Sequence, residues 1–343
     1  MSIYITLNHD LAANKKLLRQ LILRGAYNFR ISASYFQPED IKEAVRNIMA
    51  LVNEIKDEIT IIVDLPGAKR RLGQLTNKTM TIKKHQEYEF ICGTNSSPGR
   101  KYIPIPDEDF VNDILIGDIL TIKDGSYRLL IKDINYEEKI IKAEALSDFK
   151  LQSYYGYGFL KKKVPLPSFP AKNFDLIESL GKLDIKGFAI SYIETPEQFT
   201  EIRSFIHSVN PSLQAIPKIE TPKGIENFPA LAESASELWF CRGDLLNFIR
   251  AEDLFQFEKL ILDLSKNISS QLFIAGENLL GSLNSALPSR AEISHLGYLY
   301  ESGIDGIVLS DETANVDNPI DIFLLAQKIE RKYKKLRSSF LDS

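Results

Sequence analysis

The sequence predicts an α/β protein: a (β/α)8 TIM barrel with a small β-rich lid domain inserted after the third strand. Three observations carry that expectation. Short runs rich in β-branched and aromatic residues alternate with longer stretches of helical period, the mark of parallel strands joined by crossover helices. The alternation breaks once, between Asp64 and Gly187, and the residues inside the break change character. Finally, a chain of 343 residues holds a barrel, which needs roughly 250 residues, and leaves room for one more domain.

Taken in order, the barrel runs are 3–7 (IYITL), 27–31 (YNFRI) and 60–64 (TIIVD), then 187–191 (GFAIS), 214–219, 237–242, 271–275 (QLFIA) and 305–309 (DGIVL). Helical segments fall between them, for example from Pro38 to Lys56 and from Arg290 to Ser302. Pro196 and Pro222 stand where a first helical turn tolerates proline, because the missing N–H has no intrahelical partner there. Within the break, alternating segments such as Leu120-Thr121-Ile122 and Tyr127 to Ile131, punctuated by Asp124-Gly125, read as a small antiparallel β domain. The expected division is barrel over 1–73, inserted β domain over 74–165, and barrel again over 166–343. An insertion after a barrel's third strand emerges on the face where active sites form, so it is placed to act as a lid.

Composition narrows the class. With 42 basic and 46 acidic residues the net charge is −4, so no global field draws the chain to nucleic acid or to an anionic membrane. Cys92 and Cys241 are too few for a disulfide scaffold, and the amino terminus shows no charged-then-apolar leader. A cytoplasmic location is expected. His9, His85, His207 and His295 lack metal-ligand spacing. The basic run around Lys328 to Arg337 reads as a solvated final helix, where positive charge suits the carboxyl end.

Two strings hold the chemistry, Ile216-Pro217-Lys218-Ile219-Glu220-Thr221 and Phe240-Cys241-Arg242-Gly243-Asp244-Leu245. Each begins as a buried strand and finishes on charges. Glu220 and Asp244 offer hard oxygen ligands to a divalent cation, while Lys218 and Arg242 can neutralise anionic oxygens around it, a set suited to phosphoryl or enolate stabilisation.

With these strings in view, the chain resembles the pyruvate kinase family over nearly its whole length. Pro288-Ser289-Arg290-Ala291-Glu292-Ile293-Ser294 is similar to the family's P-T-R-A-E-V-S, and Leu309-Ser310-Asp311-Glu312-Thr313-Ala314 to L-S-G-E-T-A, with Pro319 following. Lys218-Ile219-Glu220 matches K-I-E, Arg242-Gly243-Asp244-Leu245 matches R-G-D-L, Ala251-Glu252 matches the A-E beyond it, and Lys162-Lys163-Val164-Pro165-Leu166-Pro167 resembles K-G-V-N-L-P. The resemblance implies phosphoenolpyruvate, or a pyruvate-like small acid, and ADP or ATP as partners, with magnesium or manganese held by Glu220 and Asp244. It places Lys218 beside the phosphoryl group in flight and brings Arg30, from Arg30-Ile31-Ser32-Ala33-Ser34 against R-L-N-F-S, to the same group as a bidentate fork. Gly243, Asp244, Gly276 and Ser310 fall at substrate positions. Arg71, the arginine of G-P-E-I-R, and Lys162 are the nucleotide-phosphate candidates, although the run Lys69-Arg70-Arg71 also suits a salt-bridged surface.

Departures from the family pattern shape the expectation further. The family's monovalent-cation site corresponds to Ser32, Ser34, Asp64 and Leu65, one ligand shortened and one apolar. Lys69 replaces the glutamate of G-P-E-I-R, as in the potassium-independent branch, where an ammonium stands in for the ion. Activity without potassium is therefore expected. Ala275-Gly276-Glu277-Asn278 falls on A-T-Q-M, so the threonine that assists proton delivery is Gly276, and Ser310 with Glu312 is left as a relay. Asn8-His9-Asp10 replaces the glycine-proline turn after the first strand, and Pro66 replaces the lysine of D-T-K-G. The family's carboxyl-terminal regulatory domain is expected to be absent, leaving a homodimer through barrel faces as the familial contact. Three functions fit: a compact pyruvate kinase-like phosphotransferase, an enolate enzyme making or breaking carbon–carbon bonds with another acceptor, or a catalytically weak ligand-binding homologue.

Overall fold

A computed structural model describes residues 2–55, 58–99, 101–161, 165–283, 287–316 and 319–341. Strands β1 (Ile3–Leu7), β2 (Asn28–Ser32) and β3 (Thr60–Leu65) come first. The insertion then supplies β4 (Thr79–Ile82), β5 (Glu87–Cys92), β6 (Tyr102–Ile105), β7 (Ile119–Ile122), β8 (Tyr127–Asn135), β9 (Ile140–Ala145), β10 (Phe149–Gln152) and β11 (Tyr157–Phe159). The chain returns with β12 (Gly187–Ile190), β13 (Gln214–Ile219), β14 (Glu237–Cys241), β15 (Gln271–Ala275) and β16 (Gly306–Val308).

The chain divides into two compact units, one of 1–67, 169–243 and 256–343, the other of 68–168 and 244–255. In the first, β1, β2, β3 and β12 to β16 close into a barrel of parallel strands, in the order β1-β16-β15-β14-β13-β12-β3-β2. These are the eight runs that periodicity picks out, with ends shifted by a residue or so. Alternate side chains of each strand point into the barrel. Tyr4, Ile62, Ala189, Ile216, Trp239, Phe273 and Val308 form one buried cluster there, with the Tyr4 ring centred 5.1 Å from Trp239 and 5.2 Å from Phe273.

Crossover helices start where their capping chemistry dictates. Thr195 accepts the N–H of Gln198 ahead of helix Pro196–Val209, and Thr221 accepts that of Gly224 ahead of Pro222–Glu226, each with the expected proline in the first turn. Helix Arg290–Ser302 opens on a capping box between Ser289 and Glu292 and closes on Gly303 at φ +103°, a left-handed stop that glycine adopts without strain.

The second unit is a β domain. A six-stranded sheet runs β11-β7-β8-β9-β5-β6 and a two-stranded ribbon pairs β10 with β4; all pairings are antiparallel except that of β5 with β6. Phe90, Phe110, Phe159 and Leu129 lie in its core. The Asp-Gly signal marks the β7-β8 turn, where Lys123, Asp124 and Gly125 all have positive φ. Segment 244–255 joins this unit through hydrogen bonds the sequence does not announce: Thr121 Oγ1 to the Asn247 carbonyl at 2.8 Å, Gly125 N–H to Asn247 Oδ1 at 3.0 Å, and Lys161 N–H to the Phe248 carbonyl at 2.8 Å.

Candidate active site

The strand alternation that fills the barrel with apolar residues also builds its polar end. Thr6, Asp64, Ser191, Lys218 and Cys241 each lie two residues beyond an apolar interior residue, namely Tyr4, Ile62, Ala189, Ile216 and Trp239. They therefore share the inward face one pleat nearer the carboxyl ends of the strands, where barrel active sites form. Arg30 on β2 reaches the same layer.

Asp64 is the hub. Arg30 Nε donates to its Oδ2 at 2.8 Å, and Lys218 Nζ lies 3.1 Å from the same oxygen and 3.2 Å from Oδ1. Lys218 also donates to Ser191 Oγ at 2.8 Å and pairs with Glu220 Oε1 at 3.1 Å. Glu220 is fixed from behind by the Tyr192 N–H, 2.8 Å from Oε2. Arg30 completes its contacts through Nη1 to Thr6 Oγ1 at 2.8 Å and through a two-pronged pairing with Asp311, Nη1 to Oδ1 at 3.2 Å and Nη2 to Oδ2 at 3.4 Å.

Burial opposes charge on Asp64, Lys218 and Arg30, and mutual pairing overrides it. Burial favours neutral Asp64, but Lys218 and Arg30 hold its carboxyl below the usual range. Burial likewise works against the Lys218 ammonium, which Asp64 and Glu220 keep protonated well above its ordinary pKa, and against Arg30, which Asp311 and Asp64 keep charged. Cys241 is pushed far up by burial, with Glu220 adding to the effect, so its thiol stays protonated and is no nucleophile.

Arg242 does something other than the sequence suggests. Its guanidinium pairs with Glu258 at 3.2 Å and donates through Nη2 to the Gly276 carbonyl at 2.6 Å and to Asn278 Oδ1 at 2.9 Å. His295 Nε2 lies 2.7 Å from the other Glu258 oxygen. Arg242 thus holds the loop after β15. That loop is unusual: Gly276, Glu277 and Leu279 have φ of +85°, +52° and +62°. A β-branched threonine is a strained outlier at such an angle, so glycine suits the backbone at position 276. A Cβ at Gly243 would meet open space, and the Ser310 hydroxyl is buried with no hydrogen-bond partner among the described residues.

In the second unit Lys69 Nζ sits 2.7 Å from Asp124 Oδ1 and 2.5 Å from Asp244 Oδ1. Burial disfavours that ammonium, but the two carboxylates raise its pKa above the ordinary value. A Cβ at Gly156 would lie 2.4 Å from Lys69 Cε, so a larger residue there would displace the end of the lysine side chain. Arg71 is exposed, donating to the Tyr154 carbonyl at 3.2 Å, whereas Arg70 is buried against Asp107, the Pro165 carbonyl and the Phe110 ring. Lys162 lies outside the described residues.

The fold matches known proteins. A family model described as pyruvate kinase, barrel domain, matches residues 2–322. The chain belongs to the pyruvate kinase family. Among curated pyruvate kinases, one from Agrobacterium vitis is 26% identical over 324 residues, 94% of this chain and 67% of the relative. One from Thermococcus litoralis is 22% identical, covering 95% of this chain and 68% of the relative. Against pyruvate kinase 2 of Synechocystis the chain spans 55% of the relative's length, at 24% identity. The crystal structure of pyruvate kinase from Pyrobaculum aerophilum superposes with a TM-score of 0.86 at 21% identity, over 97% of this chain and 73% of that one. Membership in the pyruvate kinase family supports an enzyme of the phosphotransferase class. Among the described residues, no helix is long and apolar enough to cross a membrane.

The strand-end cluster brings Lys218, Glu220 and Arg30 together around Asp64. Thr6, Ser191, the Tyr192 N–H and Asp311 belong to it as well, and sequence reasoning missed them in this role. Only Asp311 carried a usable signal, an acidic residue where L-S-G-E-T-A has glycine.

Proposed function

We propose that the chain transfers the phosphoryl group of phosphoenolpyruvate to ADP, giving pyruvate and ATP. The observation that carries the reading is the buried Lys218 ammonium, kept charged by Asp64 and Glu220 and steered by Ser191. A loose phosphoryl transition state spreads negative charge over peripheral oxygens. A fixed ammonium then stabilises the transition state more than the ground state. Arg30 orients the same group, and the unpartnered Ser310 hydroxyl is available to hold or pass a proton at the enolate. Family motifs assign Glu220 and Asp244 to magnesium or manganese. Their oxygen donors suit a hard divalent ion, and no group of three or more ligating side chains occurs among the described residues, so substrate and water oxygens would fill the remaining positions. When bound, the ion supplies charge neutralisation at the phosphoryl oxygens. Arg71 and Lys162 are proposed for the nucleotide phosphates, with Gly243 leaving room for substrate. Lys69, between Asp124 and Asp244, is proposed to supply the positive charge of a monovalent ion, so potassium is not required.

The test is an incubation with phosphoenolpyruvate, magnesium and ADP in potassium-free buffer. Pyruvate and ATP are expected in equal amounts, unaltered by added potassium. Lys218→Ala is expected to lower kcat by about 10³-fold with KM changed only a few-fold. Phosphoenolpyruvate consumption with no ATP refutes this reading and supports enolate chemistry on another acceptor, which the missing threonine at 276 favours. Metal-dependent binding with no turnover supports the weak ligand-binding homologue.

A further inference from the structure

The guanidinium fork of Arg30 is the natural seat for a phosphoryl group, because two parallel N–H bonds match two oxygens of a tetrahedral anion. In this chain that seat already holds an anion. The Asp311 carboxylate takes both prongs, at 3.2 and 3.4 Å. The remaining Arg30 contacts, Nε to Asp64 and Nη1 to Thr6, are shorter at 2.8 Å each, so the Asp311 clasp is the looser and more displaceable part. Burial differs in the same sense. Asp64 is 3% exposed, whereas the Asp311 side chain is 33% exposed and can swing into solvent. Its carboxylate does not cap the short helix Glu312–Asn315 that follows, so no local hydrogen bond explains its presence.

Charge points the same way. The cluster sets two cations, Arg30 and Lys218, against the carboxylates of Asp64, Glu220 and Asp311. Glycine at 311 would leave the cations and carboxylates equal in number. With aspartate there, an incoming dianion must both eject a carboxylate from the fork and then sit beside it, which like charges disfavour.

We propose that Asp311 is a specificity-determining residue, an internal anion that occupies the Arg30 fork and admits only ligands able to displace it. The inference deepens the phosphoenolpyruvate reading and rests on that reading only for the identity of the ligand. Apparent affinity for a phosphoryl-bearing acid is reduced by the fraction of molecules whose fork is open. Ligands that avoid the fork escape this selection.

The experiment is titration calorimetry on the full chain with manganese present, using phosphoenolpyruvate, pyruvate and inorganic phosphate separately, on wild type, Asp311→Asn and Asp311→Gly. Circular dichroism and thermal melts establish that each variant folds. Asp311→Asn keeps the side-chain shape and removes only the charge, so it guards against a glycine-specific disturbance. Both variants are expected to bind phosphoenolpyruvate and phosphate at least about tenfold more tightly, with pyruvate affinity unchanged. Equal or weaker phosphoenolpyruvate binding in folded variants overturns the proposal, as does an equal gain for pyruvate, or an absence of phosphate and phosphoenolpyruvate binding in every variant. Failure of the kinase reading is distinguishable, for it would appear as an Asp311→Gly protein that binds phosphoenolpyruvate tightly yet makes no ATP.

Discussion

Glu237 gives the sharpest quantitative expectation. It sits at the start of β14, buried at 5% exposure, with Trp239 Nε1 donating to one carboxylate oxygen at 2.6 Å and the Tyr4 hydroxyl to the other at 3.3 Å. Burial raises its pKa from 4.5 to about 7, with a contribution from Asp305, although both hydrogen bonds pull the other way. Between those two values the folded protein keeps a proton that the unfolded chain has released. Stability therefore falls as pH rises from 4.5 to about 7, then levels off. The gap, at about 1.4 kcal/mol for each tenfold change in proton activity, corresponds to roughly 3 kcal/mol. Glu237→Gln preserves shape, still accepts from Trp239 and can donate to Tyr4, but never carries charge. It should therefore match wild type near pH 4.5 and exceed it by about 3 kcal/mol at pH 8. Trp239, the single tryptophan of the chain, reports the transition directly in urea unfolding followed by fluorescence. A stability difference between the two proteins that does not grow with pH would refute the reasoning.

Other expectations follow from the same geometry. Arg30→Lys keeps a positive charge but loses the fork, so kcat/KM for phosphoenolpyruvate should fall roughly 10²-fold, with the folded fraction unchanged in a thermal melt. Gly67→Ala would put a Cβ 2.4 Å from the backbone oxygen of Ser191, and because backbone yields less readily than a side-chain tip the cost should be about 1–3 kcal/mol in chemical denaturation. If the barrel is equally stable with alanine there, the close approach is not real.

Much of this molecule is readable from local pattern. β-Branched runs, their spacing and the prolines of first helical turns specify the barrel strands and two of the helix starts, because pleat and helical period are properties of neighbouring residues. The strand-end motifs likewise single out Lys218 and Glu220, which the fold pairs at 3.1 Å. Arg242 shows the limit: the sequence marks it as a charge at a strand exit, but only packed neighbours decide that it serves Glu258 and the loop at Gly276.

Sequence alone determined the architecture, the insertion after the third strand and the identity of the strand-end charges. Tertiary structure decided their pairing. Arg30 and Asp311 stand 281 residues apart, and they meet because barrel closure places β1 between β2 and β16. Thr6 on β1 then bridges the gap, accepting from Arg30 and donating to the Leu309 carbonyl at 2.6 Å. Such contacts depend on which strands become neighbours when the sheet closes and on where each pleat ends, quantities that no local periodicity encodes.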